Sequence, residues 1–156
     1  MPLEIERVES PTDDARALVD ELETELSTHY PPENRHGYDI ARLFQPNVSF
    51  FIARLDGSAV GCGGIAFEDD FAELKRMYVR PGARGRGAAQ AVLARLEQEA
   101  RARGVTRLAL ETGDAQLAAI RFYERAGFTR RSAFGAYATM PPSATGRCVY
   151  FEKRIG

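Results

Sequence analysis

The sequence has no tryptophan, only two cysteines and two histidines, and no stretch near the ~18 consecutive apolar residues that a membrane-spanning helix needs. Cys62 and Cys148 have neither a CxxC spacing nor a neighbouring histidine, which argues against a metal site and a disulfide framework and for free thiols in a reducing compartment. An excess of one charge is lacking too. Lys+Arg 21 against Asp+Glu 22 leaves a net charge of -1, so no chain-wide basic field exists to hold nucleic acid or an anionic membrane, and any anion must be gripped locally. The opening Met1-Pro2-Leu3-Glu4 carries no basic leader or apolar segment, and the expectation is a cytoplasmic protein. What is present is enough apolar matter, 44% of 156 residues, to close one sizeable core, and a single domain over residues 1–156 is expected.

Periodicity places the elements. Leu3 to Val8 alternates apolar and charged residues like a half-buried strand. Ser10-Pro11-Thr12-Asp13 reads as a helix start with Ser10 as N-cap, and Ala15, Leu18, Val19, Leu22 and Leu26 share one face of a helix that ends before Pro31-Pro32. Val48–Leu55 and Ala59–Phe67 flank Asp56-Gly57, two residues that tolerate positive φ, and so form a hairpin; Phe71–Val79 adds a third strand. A helix over 87–103 ends at Gly104, a strand follows over 105–112, and a helix capped by Asp114 runs to about Ala126. Arg147–Ile155 closes the chain as a strand rich in Val, Tyr and Phe. This order predicts a three-layer α/β or α+β domain with a mixed sheet and one right-handed βαβ unit.

The chemistry-bearing stretch is Arg84-Gly85-Arg86-Gly87-Ala88-Ala89, set between a strand and a helix start. Amides there have no intrahelical partner and the helix dipole is positive, so an anion is at home. Gly85 and Gly87 let the main chain approach a ligand, small Ala88 and Ala89 keep the helix mouth open, and the arginines add charged donors. A P-loop would need Lys-Ser/Thr after Gly87, and a dinucleotide fingerprint would need a small residue at Gln90 and an initial βαβ unit; neither requirement is met.

Three ordered segments resemble the GCN5-related N-acetyltransferase superfamily: Glu73-Leu74-Lys75-Arg76-Met77-Tyr78-Val79-Arg80-Pro81, the glycine-arginine turn with Arg84, Gly87 and Ala89 at the fixed positions of a Gln/Arg-x-x-Gly-x-Gly/Ala pattern, and Ala119 to Phe128, a helix ending in Tyr, three residues and Gly-Phe. The resemblance implies a mostly antiparallel mixed sheet of about seven strands, splayed between strands 4 and 5 and flanked by about four helices. It implies an acetyl-CoA-dependent N-acetyltransferase without a metal, acting on a small amine or amino acid by direct attack in a ternary complex. A non-catalytic acetyl-CoA-binding module and a protein or peptide acetyltransferase stay open, as does a homodimer.

Carried over by position, Met77 and Val79, with Tyr78 between them, pair with the pantetheine arm, and Arg84, Gly85, Arg86, Gly87, Ala88 and Ala89 hold the pyrophosphate. Gln116, standing where relatives often carry Asn, and Tyr123 complete the cofactor-binding residues that the resemblance implies. Tyr123, a phenol protonated at neutral pH, is the candidate acid for the departing thiolate. Glu73 is the first candidate base, on a strand face expected to include Lys75, Met77 and Val79; Glu111 is the second, and water stays open. Tyr30, Arg35, Arg76 and Tyr137 are the candidate acceptor-binding residues, from walls at Tyr30–Tyr38 and Phe134–Tyr137. His29 and His36 read as surface loop residues.

Overall fold

The computed structural model describes residues 2–156, with β1 Leu3–Val8, α1 Asp13–Ser27, β2 Val48–Leu55, β3 Ser58–Phe67, β4 Ala72–Val79, α2 Ala88–Ala102, β5 Arg107–Gly113, α3 Leu117–Arg125, β6 Thr129–Arg131, a short α4 Pro142–Thr145 and β7 Cys148–Arg154. The strands form one sheet in the order β1-β2-β3-β4-β5-β7-β6, antiparallel throughout except between β4 and β5. That parallel step is the expected βαβ unit crossing over through α2. The hairpin after β2 turns at Asp56 and Gly57 with φ of 51° and 84°, which fixes Leu55 opposite Ser58.

Alternation along the strands divides the core into two faces. Phe51, Ala53, Ile65, Leu74, Leu108 and Leu110 meet α2 and α3 on one side, while Phe50, Ile52, Cys62, Ala66 and Tyr78 meet α1 on the other. Helix α1 buries Ala15, Leu18, Val19 and Leu22, four of the residues whose spacing predicts its apolar stripe. A smaller aromatic group, Phe134, Tyr137 and Tyr150 around Ala109, lies on the α1 side under β5 and β7.

Two helix starts differ from expectation. Thr12, not Ser10, caps α1, its hydroxyl accepting from Ala15 N at 3.2 Å, because the turn Thr12 N to Ser10 O places Pro11 outside the helix. Gln116, not Asp114, precedes α3; the Asp114 carboxylate is engaged instead by Arg147 Nε and Nη2 at 3.1 and 2.9 Å.

The decisive irregularity is in β4. Cys62 lies opposite Tyr78 and Gly64 opposite Lys75, so Gly63 faces two residues, Arg76 and Met77, and Arg76 takes φ of 56°. An extra residue in one strand reverses the alternation beyond it. Glu73 and Lys75 therefore point away from Met77 and Val79, which pack with Ala72 and Leu74 against the α2 side. The single face expected for Glu73, Lys75, Met77 and Val79 is corrected by this bulge. Gly63 makes it possible, since a Cβ there would meet Met77 Sδ and Val92 Cγ1 at 2.6 Å each.

Candidate active site

Strands β4 and β5 pair only at Ala72–Leu108 and Glu73–Ala109 and then part. The opening is a cleft of about 130 Å³, walled by the two strands, by Leu22 and Leu26 of α1, by Tyr30 and the 34–37 loop, and by Gln116, Ala119 and Tyr123 at α3. A second hollow of about 310 Å³ is lined by Val79, Arg84, Gly85, Gly87, Ala88, Ala89, Gln90, Phe122 and Arg125. Met77 lines the first and Val79 the second, as do Tyr123 and Phe122, so the two abut along β4 and α3.

The glycine turn forms the wall of the second hollow. Gly85 and Gly87 have φ of 82° and 84°, Gly87 is the residue before α2, and a Cβ at Gly85 would meet nothing within 4 Å. Amides at the mouth of α2 thus face an open space of the kind an anion fills. Arg84 is turned the other way: its Nε donates to Val79 O at 2.9 Å and its Nη2 reaches Glu25 of α1 at 3.4 Å, so it braces the turn. Arg86 is exposed. A second cation lines the hollow beside Arg84: Arg125, which in the sequence reads only as the favourable basic last turn of α3.

Tyr123 is buried in the first cleft, packed edge-on against Phe122 and Phe128. Burial alone raises its phenol above the ordinary range, with no hydrogen bond or charge contributing. It stays protonated and holds a hydroxyl not committed to the fold. Tyr78 contributes no side chain to either hollow: its ring packs toward α1 and its hydroxyl donates to Glu21 at 3.3 Å.

Glu73, the first candidate base, is tied into a buried network. Its Oε2 accepts from Lys75 Nζ at 3.0 Å and from the Tyr137 hydroxyl at 2.6 Å, and Lys75 also donates to Tyr137 Oη at 3.0 Å and to His36 O at 3.1 Å. Burial and then the Glu73 charge push the Tyr137 phenol upward, so it remains the donor. Glu111 on β5 faces the cleft differently. Burial raises its carboxyl above the usual range, partly opposed by a hydrogen bond from Cys148 and by the charges of His36 and Lys75. Cys148 itself is pushed up to about 12 by burial and by Glu111, so it is a neutral thiol.

Of the four acceptor-side candidates, Tyr30, Arg35 and Arg76 line the first cleft, and Tyr137 lies behind it. Tyr30 is buried against Gly113, its hydroxyl accepting from Ala115 N at 2.9 Å; Arg35 and Arg76 line the β4 half of the cleft, and Tyr137 backs that wall through Glu73 and Lys75. His29 is exposed, but His36 is not a plain surface residue: it lines the cleft, lies edge-on to Tyr137 and donates from Nε2 to Ala144 O at 2.7 Å. Gly113 has no room for a methyl group, because the Tyr30 ring occupies the place of its Cβ. Gly113→Ala should displace Tyr30, break its bond to Ala115 and lower stability by about 1–3 kcal/mol, measured by urea unfolding.

Among the described residues no helix is long and apolar enough to cross a membrane, and no cluster of three or more His, Cys, Asp or Glu side chains could hold a metal ion. A strand pair that opens over a bulge, with a glycine-lined helix mouth beside it, forms the candidate site. Residues 15–128 match the profile of the Acetyltransferase (GNAT) family, and the chain belongs to that family. An IAA acetyltransferase of Azospirillum brasilense is 43% identical over 138 residues, covering 86% of this chain and 90% of its own. The crystal structure of a Klebsiella pneumoniae protein assigned as an acyl-CoA N-acyltransferase superposes with a TM-score of 0.78 at 34% identity, over 99% of this chain and 98% of that one. The PaiA N-acetyltransferase of Thermoplasma acidophilum, solved with coenzyme A, shares the fold at 18% identity, with a TM-score of 0.75 over 99% of each chain.

Proposed function

We propose that this acetyltransferase moves the acetyl group of acetyl-CoA to a primary amine of a small molecule, by direct attack while both substrates are bound. The observation that carries the reading is the abutment of the two hollows: a cradle for a diphosphate at Gly85–Ala89 opens along Val79 and Met77 into a cleft holding a free phenol and a raised carboxyl. That the amides and Arg125 line an open, positive hollow supports the fit of coenzyme A. The two unpaired cysteines suit a cytoplasmic protein.

In this mechanism Glu111 takes the proton that leaves the amine, either before attack or from the adduct. The amine nitrogen bonds to the thioester carbonyl carbon, and the carbonyl oxygen becomes negative beside the β4 bulge, where main-chain groups at Arg76–Met77 have left the regular ladder. The carbon–sulfur bond then breaks, and Tyr123 gives its proton to the thiolate. Glu111 ends protonated and Tyr123 ionised, and exchange with solvent resets both. Of the two candidate bases, Glu111 is favoured because Glu73 Oε2 already accepts two hydrogen bonds; Glu73, Lys75 and Tyr137 position the wall opposite.

The test of the function is release of free thiol from acetyl-CoA when primary amines are offered. Tight coenzyme A binding with no release by any amine would move the protein to a binding module. For the base, a carboxyl whose titration is raised acts only once deprotonated, so kcat/KM should fall on the acid side above the usual carboxylate range, and Glu111→Gln should remove that limb and most of the rate. The same raised group lowers folded-state stability as pH rises through its titration. Glu111→Gln should therefore unfold at a higher temperature than the parent at about pH 8, with the gap closing toward about pH 4.

A further inference from the structure

Resting on the reading of the first cleft as the acceptor site, we infer that the acceptor carries a carboxylate as well as an amine, and that Arg35 is the residue that grips it. The loop before Tyr38 is held in place over the cleft before any acceptor arrives. Asn34 Nδ2 donates to Ser143 O and Ala144 O at 3.1 and 3.3 Å, His36 Nε2 donates to Ala144 O at 2.7 Å, and Lys75 Nζ and Arg76 Nε donate to His36 O and Tyr38 O at 3.1 and 2.9 Å. Arg35 sits between these fixed points and lines the cleft.

Charge on this wall is not balanced. Glu23 of α1 bridges two guanidiniums, 2.7 Å from Arg35 Nη1 and 2.6 Å from Arg76 Nη2. One carboxylate facing two permanent cations leaves one positive charge over. Lys75 does not supply it, since its ammonium is committed to Glu73, Tyr137 and a carbonyl. Arg76 is further occupied by Tyr38 O, whereas Arg35 Nε is buried and has no acceptor among the described residues. A buried donor left unpaired at a cleft wall is satisfied when a ligand supplies the acceptor. The free Nε side of a guanidinium is the edge that a carboxylate takes with two parallel hydrogen bonds. Glu111 on the β5 wall marks where the amine is deprotonated, so the acceptor lies across the cleft, amine toward β5 and carboxylate toward the loop. The substrate class is an amino acid or a similar amino-carboxylate.

The test uses matched sets offered to the full chain with acetyl-CoA: each common amino acid, its carboxamide and its decarboxylated amine. At least one acid should exceed its carboxamide in kcat/KM by about 30-fold, the size of one charge-assisted bidentate pair. Arg35→Gln should bring acid and carboxamide to near parity through the KM of the acceptor, while Arg35→Lys retains part of the preference. Equal turnover of acid and carboxamide by the parent, or a preference that survives Arg35→Gln, overturns the assignment and leaves the acetyltransferase reading intact. If no member of any set releases thiol, calorimetry of the same acids against the coenzyme A complex decides. Binding that Arg35→Gln weakens about tenfold upholds the carboxylate site, and absence of binding overturns it. Glu23 keeps Arg76 as a partner in both variants, and matched thermal unfolding separates a lost contact from a lost fold.

Discussion

Gly87→Asp should weaken binding of coenzyme A by at least about 100-fold, which is the loss expected when an anion-binding helix mouth is given a fixed negative charge of its own. The residue precedes α2 at φ 84°, and its Cα looks into the hollow that Arg125 and the α2 amides line. Two effects are combined in that substitution, because a side chain at positive φ also costs about 1 kcal/mol. The molecule offers its own control. Gly57 turns the first hairpin at the same φ of 84°, with nothing within 4 Å of its Cβ and no part in either hollow. Gly57→Asp should thus carry the strain and leave affinity unchanged, and Gly87→Asn should lose far less affinity than Gly87→Asp. Isothermal calorimetry with coenzyme A measures all three. Undiminished affinity in Gly87→Asp would place the diphosphate elsewhere and remove the basis of the functional reading.

The features legible in the sequence are those written in local chemistry. The apolar stripe from Ala15 to Leu22 needs only helical spacing, the Asp56-Gly57 turn needs only two residues that accept positive φ, and the glycine turn before α2 combines both signals within a few residues. The β4 bulge was not legible, because the residue that adopts positive φ there is Arg76 rather than Gly or Asn. Its enabling residue, Gly63, lies on the neighbouring strand and reads as one more small residue in a glycine-rich segment. The cost of missing it was a whole strand face: Glu73 and Met77 are an even number of residues apart, and strict alternation puts them together.

The different surroundings of Glu73 and Glu111 are hidden in the sequence for a related reason. Both are carboxylates in strands, and sequence distinguishes neither. What separates them is Tyr137, 64 residues beyond Glu73 in the chain, which arrives from the loop after β6 and hydrogen-bonds Glu73 but not Glu111. Arg35 and Glu23 meet across the gap between a loop and a helix in the same way. Long-range pairs of this kind decide which charged side chains are structural and which are left free to act, and periodicity carries no trace of them.

Tyr123→Phe is the cleanest chemical probe the site provides. The ring contributes to the fold through edge-on contacts with Phe122 and Phe128 and a tilted contact with Phe151, at centroid distances of 5.3, 5.6 and 6.5 Å. Phenylalanine retains all three. The hydroxyl contributes nothing comparable, since burial is the sole cause of its raised titration and no protein group hydrogen-bonds it. The variant should therefore keep its unfolding midpoint, and its affinity for coenzyme A should change by less than about threefold. Turnover should fall by about 100-fold or more, because the thiolate then leaves without a positioned proton donor. The loss should appear equally in kcat and kcat/KM, as for an interaction made only as the carbon–sulfur bond breaks. A variant that turned over at the parental rate would show that the thiolate departs unprotonated or takes its proton from water, and Tyr123 would revert to a core aromatic. The unfolding data make the two outcomes separable: an equal midpoint with lost rate can arise only from the one oxygen atom removed.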